Sequence, residues 1–257
     1  MTYLSLAVSN MRGPDFLLLY AGVICVTWIV SWLLLHISDR TAKLPLPPIA
    51  SDLDPCEIAY MRGGENEVTR LLIFDLIQRG FLVEHDKKLS KASEHPDPEN
   101  FSPLERDVFD WFSSERSAAD IFESYGLPER VEPHCTEYEE RLEQESFLSP
   151  PGRENAAWFV GLAACAVIAG LGLFKLNAAL SAGRSNVGFL IVMGIIALVV
   201  QAAVCKPGRL SRLGVKYLNQ LKQKYQGQIQ HVTPVVSNDY SLSLFFVGLF
   251  GLSVLDE

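Results

Sequence analysis

FLLLYAGVICVTWIVSWLLLHI (16–37), AAWFVGLAACAVIAGLGLF (156–174) and VGFLIVMGIIALVVQAAVC (187–205) are apolar runs without one charged side chain. As helices rising 1.5 Å per residue, the first covers about 33 Å and the other two roughly 28 Å. A bilayer core is about 30 Å thick, so each run is long enough to cross it. The chain therefore reads as mainly α, a three-span α-helical membrane protein. Composition alone would not decide this, since 49% apolar residues is only mildly unusual for a soluble chain. The clustering decides it. A cleaved signal peptide fits the first run poorly, because such peptides have shorter apolar regions and end at small residues. Here the run leaves through SWLLLHISDRTAK, which predicts an uncleaved anchor.

Lys and Arg near the spans set the orientation. Arg12 alone precedes the first span, whereas Arg40 and Lys43 follow it and Arg153 precedes the second. Lys175 and Arg184 lie between the second and third. Lys206, Arg209, Arg212, Lys216, Lys222 and Lys224 come after the third. This places the N-terminal segment 1–15 outside, a short outer loop at 175–186, and both 38–155 and the tail 206–257 in the cytoplasm. The bilayer is thus the first partner the sequence implies.

Inside the second span, Ala157, Gly161, Cys165 and Ala169 form a stripe of small residues at every fourth position, which lets helix backbones approach closely in lipid. Packing on the third span is the favoured reading, and a homodimer through the same stripe is the sharper one. Trp28, Trp32 and His36 share a face of the first span, as interface residues do. Gln201 is the one strongly polar side chain of the third span and suits a hydrogen bond between helices. A transport path would call for several ionisable groups.

Between the first two spans, residues 38–155 hold 26 Asp and Glu against 13 Lys and Arg. Such a surplus repels phosphate backbones, so no nucleic acid is expected as partner. A proline-rich linker, 38–52, leads into an acidic domain at 53–150. Asp54-Pro55 with Glu57, Ser102-Pro103 with Glu105, and more weakly Ser117 with Asp120, each place a capping oxygen ahead of an acid in the first turn. Val68, Leu71, Leu72, Leu76 and Ile77 recur at helical spacing over 65–78, with Gly80 where a C-cap belongs. FLVEHDKKLSKAS suggests a hairpin, and further helices are predicted at 103–113, 117–125 (ended by Gly126) and 133–147. Cys135, Tyr138 and Leu142 should face inward on the last of these. Helix, turn, helix, then a polar wing is a winged-helix-like silhouette. The plainer alternative is a small helical domain with one hairpin.

In the tail, Leu210, Leu213, Tyr217, Leu218, Leu221 and Tyr225 line one face of a basic helix. Such a helix beside a span commonly rests on an anionic leaflet. The opposite charge of the acidic domain suggests docking there instead. SLSLFFVGLFGLSVL (241–255) is short for a span and should pack on the domain or lie in the interface.

Chemistry-bearing motifs are sparse. Cys25, Cys56, Cys135, Cys165 and Cys205 show no metal or redox spacing and read as buried apolar residues, with Cys205 placed for palmitoylation near a span end. His85 and His95 sit in polar loops. His95-Pro96-Asp97 copies the tripeptide of J-domain co-chaperones without the helices those proteins need. Gly63-Gly64 breaks a helix and lacks the strand and Lys-Ser/Thr of a phosphate loop. No catalytic, cofactor-binding or metal-binding residue is assigned, no cofactor is expected, and the chain reads as non-enzymatic.

GPDFLLLY (13–20) and LDPCEIAYMRGGENEVTRLLIFDLIQRGFL (53–82) together resemble a family of bacterial membrane proteins defined by a domain of unknown function. Its members share a G-P-x-F-L-x-x-Y start and a D-P-x-E-x-A-Y-L-R-G-G block, followed by two more spans and a short apolar block. The resemblance covers most of the chain in order, and it implies a membrane location and this architecture without any catalytic residue. Cys56 stands where an aromatic is common. Many members carry a Gly/Cys-rich tail that this sequence does not contain, so nothing of that tail is carried over. The functional expectation is an integral membrane protein presenting a cytoplasmic interaction or regulatory domain to a protein partner. The alternative is a subunit of a small transporter or channel.

Overall fold

The computed structural model describes residues 13–50, 52–150, 152–181, 187–229 and 240–255. Residues 1–12 of the expected N-terminal segment, 182–186 of the expected outer loop and 230–239 of the tail lie outside them. In chain order the elements are α1 (Gly13–Ser38), α2 (Pro55–Gly63), α3 (Glu65–Gln78), β1 (Leu82–His85), β2 (Lys88–Lys91), α4 (Pro103–Trp111), β3 (Arg116–Ser117), α5 (Ala118–Ile121), α6 (Leu127–Val131), α7 (Thr136–Gln144), α8 (Arg153–Ser181), α9 (Gly188–Val204), α10 (Arg212–Ile229) and α11 (Tyr240–Phe250). The chain is mainly helical. It divides into two compact units, each drawn from two stretches: Met1–Arg40 with Ser149–Gly208, and Thr41–Leu148 with Arg209–Glu257.

In the first unit α1, α8 and α9 pack on one another. By length and composition α1 and α8 could each cross a membrane, while α9, equally apolar, has 17 residues. Most of their apolar side chains face outward, as in Leu18, Ile29, Phe159, Ile195 and Val199. The interior is made by a few residues. Phe16 and Tyr20 stack with ring centroids 5.7 Å apart, and the Tyr20 hydroxyl donates to the Ile168 carbonyl at 3.0 Å. Trp28 Nε1 donates to the Ala197 carbonyl at 3.3 Å. Gln201 is fully buried and its amide nitrogen reaches Ser31 Oγ at 3.0 Å and Cys205 Sγ at 3.1 Å. It ties α9 to α1, as a lone polar residue among apolar helices should. A Cβ added at Gly161 would lie 3.2 Å from Cys205 Cβ, so the small-residue stripe admits the end of α9. Cys205 is buried there, which removes it from the expected role as an acyl-acceptor thiol.

One boundary differs from the sequence reading. The second apolar helix does not stop at Phe174; α8 continues to Ser181, so residues 175–181 of the expected loop are helical. Lys175 lies within that helix, buried, with its ammonium 5.1 Å from the Phe16 ring centroid. An aromatic face compensates a cation removed from water.

The second unit is built around α3. Asp54 Oδ1 accepts from the Cys56 amide at 2.8 Å, and Pro55 occupies the first turn of α2, whose own amide would have been unpaired there anyway. Gly64, at φ +75°, turns the chain directly from α2 into α3. That left-handed region favours glycine. Val68, Leu71, Leu72 and Leu76 are buried as the periodicity predicts, yet so are Ile73, Phe74 and Asp75, while Ile77 is 39% exposed. A helix wrapped by neighbours on most sides has no single stripe to read. After α3 the Phe81 amide reaches back to the Leu76 carbonyl at 2.8 Å, closing the end at Gly80.

The expected hairpin forms, with β1 and β2 antiparallel and Asp86 and Lys87 both at positive φ in its turn. β3 adds a short antiparallel third strand against β2. Ser102 and Glu105 form a reciprocal capping box on α4, and Ser117 and Asp120 form another on α5. Each such cap is worth about 1 kcal/mol. The predicted helix 117–125 is a shorter one, because α5 ends at Ile121 and Tyr125 turns at φ +67°. Gly126 does not end a helix; it opens α6. A Cβ there would meet the Glu123 carbonyl oxygen at 2.8 Å. The predicted helix 133–147 is a 3-10 turn, Glu132–Cys135, followed by α7; Ser146 at φ +61° then returns Phe147 to the core.

The tail belongs to this unit. Leu213, Tyr217, Leu218 and Leu221 of α10 enter the same core as α3, with Tyr217 stacked on Phe147 at 4.5 Å. The apolar face that would have lain on a leaflet is covered by protein, so docking on the acidic domain is the arrangement present. Val247 and Leu249 of α11 are buried alongside, and Arg62 Nη1 donates to the Val247 carbonyl at 3.0 Å.

Candidate functional site

The blocks that carry the family resemblance are occupied by packing. Phe16 and Tyr20 fill the first unit, while Asp54 and Pro55 start α2. Ala59 is buried, and Arg62 bonds α11 and pairs with Glu67. The Tyr60 ring lies under the Arg209 guanidinium, 4.0 Å from the centroid. A site has to be sought elsewhere.

A groove of about 150 Å³ opens in the second unit between the residues entering α2, the end of α7 and one face of α10. Its floor is apolar and aromatic, from Ile58, Met61, Leu142, Phe147, Tyr217 and Leu221. Its rim carries Asp52, Asp54, Glu57 and Glu145 against a single cation, Arg141. Arg141 donates to Glu57 at 2.9 Å and to Glu137 at 3.0 Å, so part of its charge is already spent. Burial raises the Glu57 carboxyl above its ordinary range, and Arg141 opposes that rise. Burial likewise raises the Tyr217 hydroxyl. Asp54 is held by two duties: it caps α2 and takes a hydrogen bond from Tyr138, whose hydroxyl is raised by burial first and by neighbouring negative groups after it. Asp52 and Glu145 are left as the carboxylates able to meet something from outside.

The size of the groove constrains what it can take. Small-molecule and cofactor sites commonly enclose about 300–1,000 Å³. A space near 150 Å³ admits a benzene-sized group. It is the size of one side chain, with negative charge around the mouth and apolar contact beneath. The sequence could not assemble it, since Glu57 and Arg141 stand 84 positions apart and Tyr217 is farther still. One signal was present: Arg141 is the only Lys or Arg between 131 and 152.

The remaining residues singled out in the sequence do not converge. Burial pushes the Cys56 and Cys135 thiols up to about 12, with Asp54 adding to the first and Glu65 to the second. Thiols held protonated are poor nucleophiles and poor ligands. His85 pairs with Asp86 in the exposed hairpin turn. His95 lies edge-on to Phe109 at 5.1 Å, as an exposed cover over aromatic residues. Among the described residues, no three His, Cys, Asp or Glu side chains gather as metal ligands. Comparison with protein-family models, with curated proteins and with solved structures finds no match.

Proposed function

We propose that this is an integral membrane protein of three spans, α1, α8 and α9, whose second unit is a non-catalytic cytoplasmic interaction module for a basic protein segment. The N-terminus lies outside, and the Lys and Arg bias of the segments flanking the helices supports that orientation. The carrying observation is the groove, a side-chain-sized socket with an aromatic floor and a carboxylate rim. Charge across the unit agrees: even with the basic helix folded in, its two stretches hold 27 Asp and Glu against 16 Lys and Arg. Such a field steers cationic partners and rejects phosphate backbones. We also read α2, α3 and the β1–β2 hairpin as a winged-helix-like module. The helix–helix–hairpin order and the third strand support this, and the charge makes it a protein-binding version.

The test is titration of the full chain, held in neutral-lipid nanodiscs, with a synthetic peptide alternating Arg and Leu. Saturable binding that weakens with salt and with Glu145→Lys is expected. Binding indifferent to Glu145→Lys would remove the groove from the account, and an equal response to a Glu-Leu peptide would remove charge from it.

A further inference from the structure

At the other end of the charge range, the first unit holds a small basic pocket. It measures about 120 Å³ and lies where α1 ends, α8 begins and the chain leaves α9. Three cationic or protonatable side chains line it, one from each segment: His36, Arg153 and Lys206. Trp32 forms a wall, with its ring stacked on His36 at 4.6 Å between centroids and 23° between planes. Arg153 is anchored: its Nη1 donates to Asp39 Oδ2 at 3.0 Å and to Ser149 Oγ at 3.2 Å. The Asp39 side chain has no exposed surface. That buried pair fixes the guanidinium and cancels part of its charge, and the ammonium of Lys206 remains exposed. A fixed guanidinium, an exposed ammonium and an imidazole around one space make a recognition set for a phosphate group.

The pocket lies at the ends of three apolar helices, α1, α8 and α9, so a phosphate group that reaches it within a bilayer brings a hydrocarbon chain alongside them.

We infer that Trp32, His36, Arg153 and Lys206 form a headgroup site for an anionic phospholipid. Basic pockets among membrane helices on the cytoplasmic side are suited to this. The inference rests on the proposal that these helices cross a bilayer.

The decisive measurement is native mass spectrometry of the full chain from neutral detergent, offered phosphatidylglycerol, phosphatidylcholine or inorganic phosphate. Phosphatidylglycerol should be retained in preference to phosphatidylcholine, and Lys206→Gln should weaken its binding about fivefold, the effect of one near-surface cation. Inorganic phosphate in large excess should not displace the lipid. Lys206 is exposed, so its substitution leaves the fold intact. Equal retention of the two lipids, or no effect of Lys206→Gln, overturns the site. Displacement by phosphate reassigns it to the free ion and overturns the lipid. An alkaline wash of wild-type chain from phosphatidylcholine vesicles separates the two readings. A chain that washes off defeats both, whereas one that stays without preferring phosphatidylglycerol defeats the headgroup site alone.

Discussion

Asp75 is a carboxylate in the wrong place for a charge. It is buried on α3, its Oδ2 accepts from Arg79 Nη1 at 3.0 Å, and its Oδ1 finds no hydrogen-bond partner among the described residues. Burial therefore lifts its proton affinity above the ordinary aspartate value of 3.8 despite the arginine. A raised folded-state value means that the native protein binds this proton more tightly than the unfolded chain does. The group then favours folding most below 3.8, and that contribution fades as pH climbs through the raised value. Asn cannot ionise, so Asp75→Asn should gain in melting temperature relative to wild type as pH goes from about 4 to about 7. Parallel melting curves across that range would contradict the burial argument. Glu105 has the opposite sign: burial raises it, but the Ser102 cap and Arg79 outweigh burial and hold it low, so its support is lost on acidification. The apolar period of α3 was legible; the burial of Asp75 was not, because a polar residue at a helical position reads as solvent-facing.

For the elements, local chemistry was the readable part. Asp54, Ser102 and Ser117 cap where their spacing to a following acid says they should, because a cap is settled within four residues. Whether α10 met lipid or protein was not settled within its own sequence, since an apolar face is indifferent to what covers it. α11 shows the consequence most sharply. Leu249 is fully buried against residues nearly two hundred positions earlier, whereas Ile77, which the periodicity places among core positions, is 39% exposed. Leu249→Ala should cost about 2–5 kcal/mol, seen as a large drop in melting temperature of the second unit. Ile77→Ala should stay within about 0.5 kcal/mol. Comparable losses from both would mean that α11 is not part of this core.

Across the whole molecule, clustered apolar runs and clustered charge were legible because each is a property of composition along the chain. The groove was not, being made from three distant segments, one of them a helix whose burial needed the fold. The proposed topology makes its own prediction. Fluorescent protein fused after Glu257 should mature in the cytoplasm, and alkaline phosphatase fused there should be inactive. The reverse pair of outcomes would invert the orientation and move the acidic unit to the other compartment.

The interleaving of the two units carries a consequence for synthesis. α3 and its partners are made well before α10 and α11, with all of α8 and α9 translated in between. At about 5–20 residues per second, the ribosome needs several seconds for that interval. Through it the surfaces awaiting Leu218, Leu221 and Leu249 stand open, and only the arrival of the chain's last helices can close them. Closure of the acidic unit thus reports that every apolar helix before it has been synthesised, so a chain cut short betrays itself by an uncovered core that proteases and chaperones can detect.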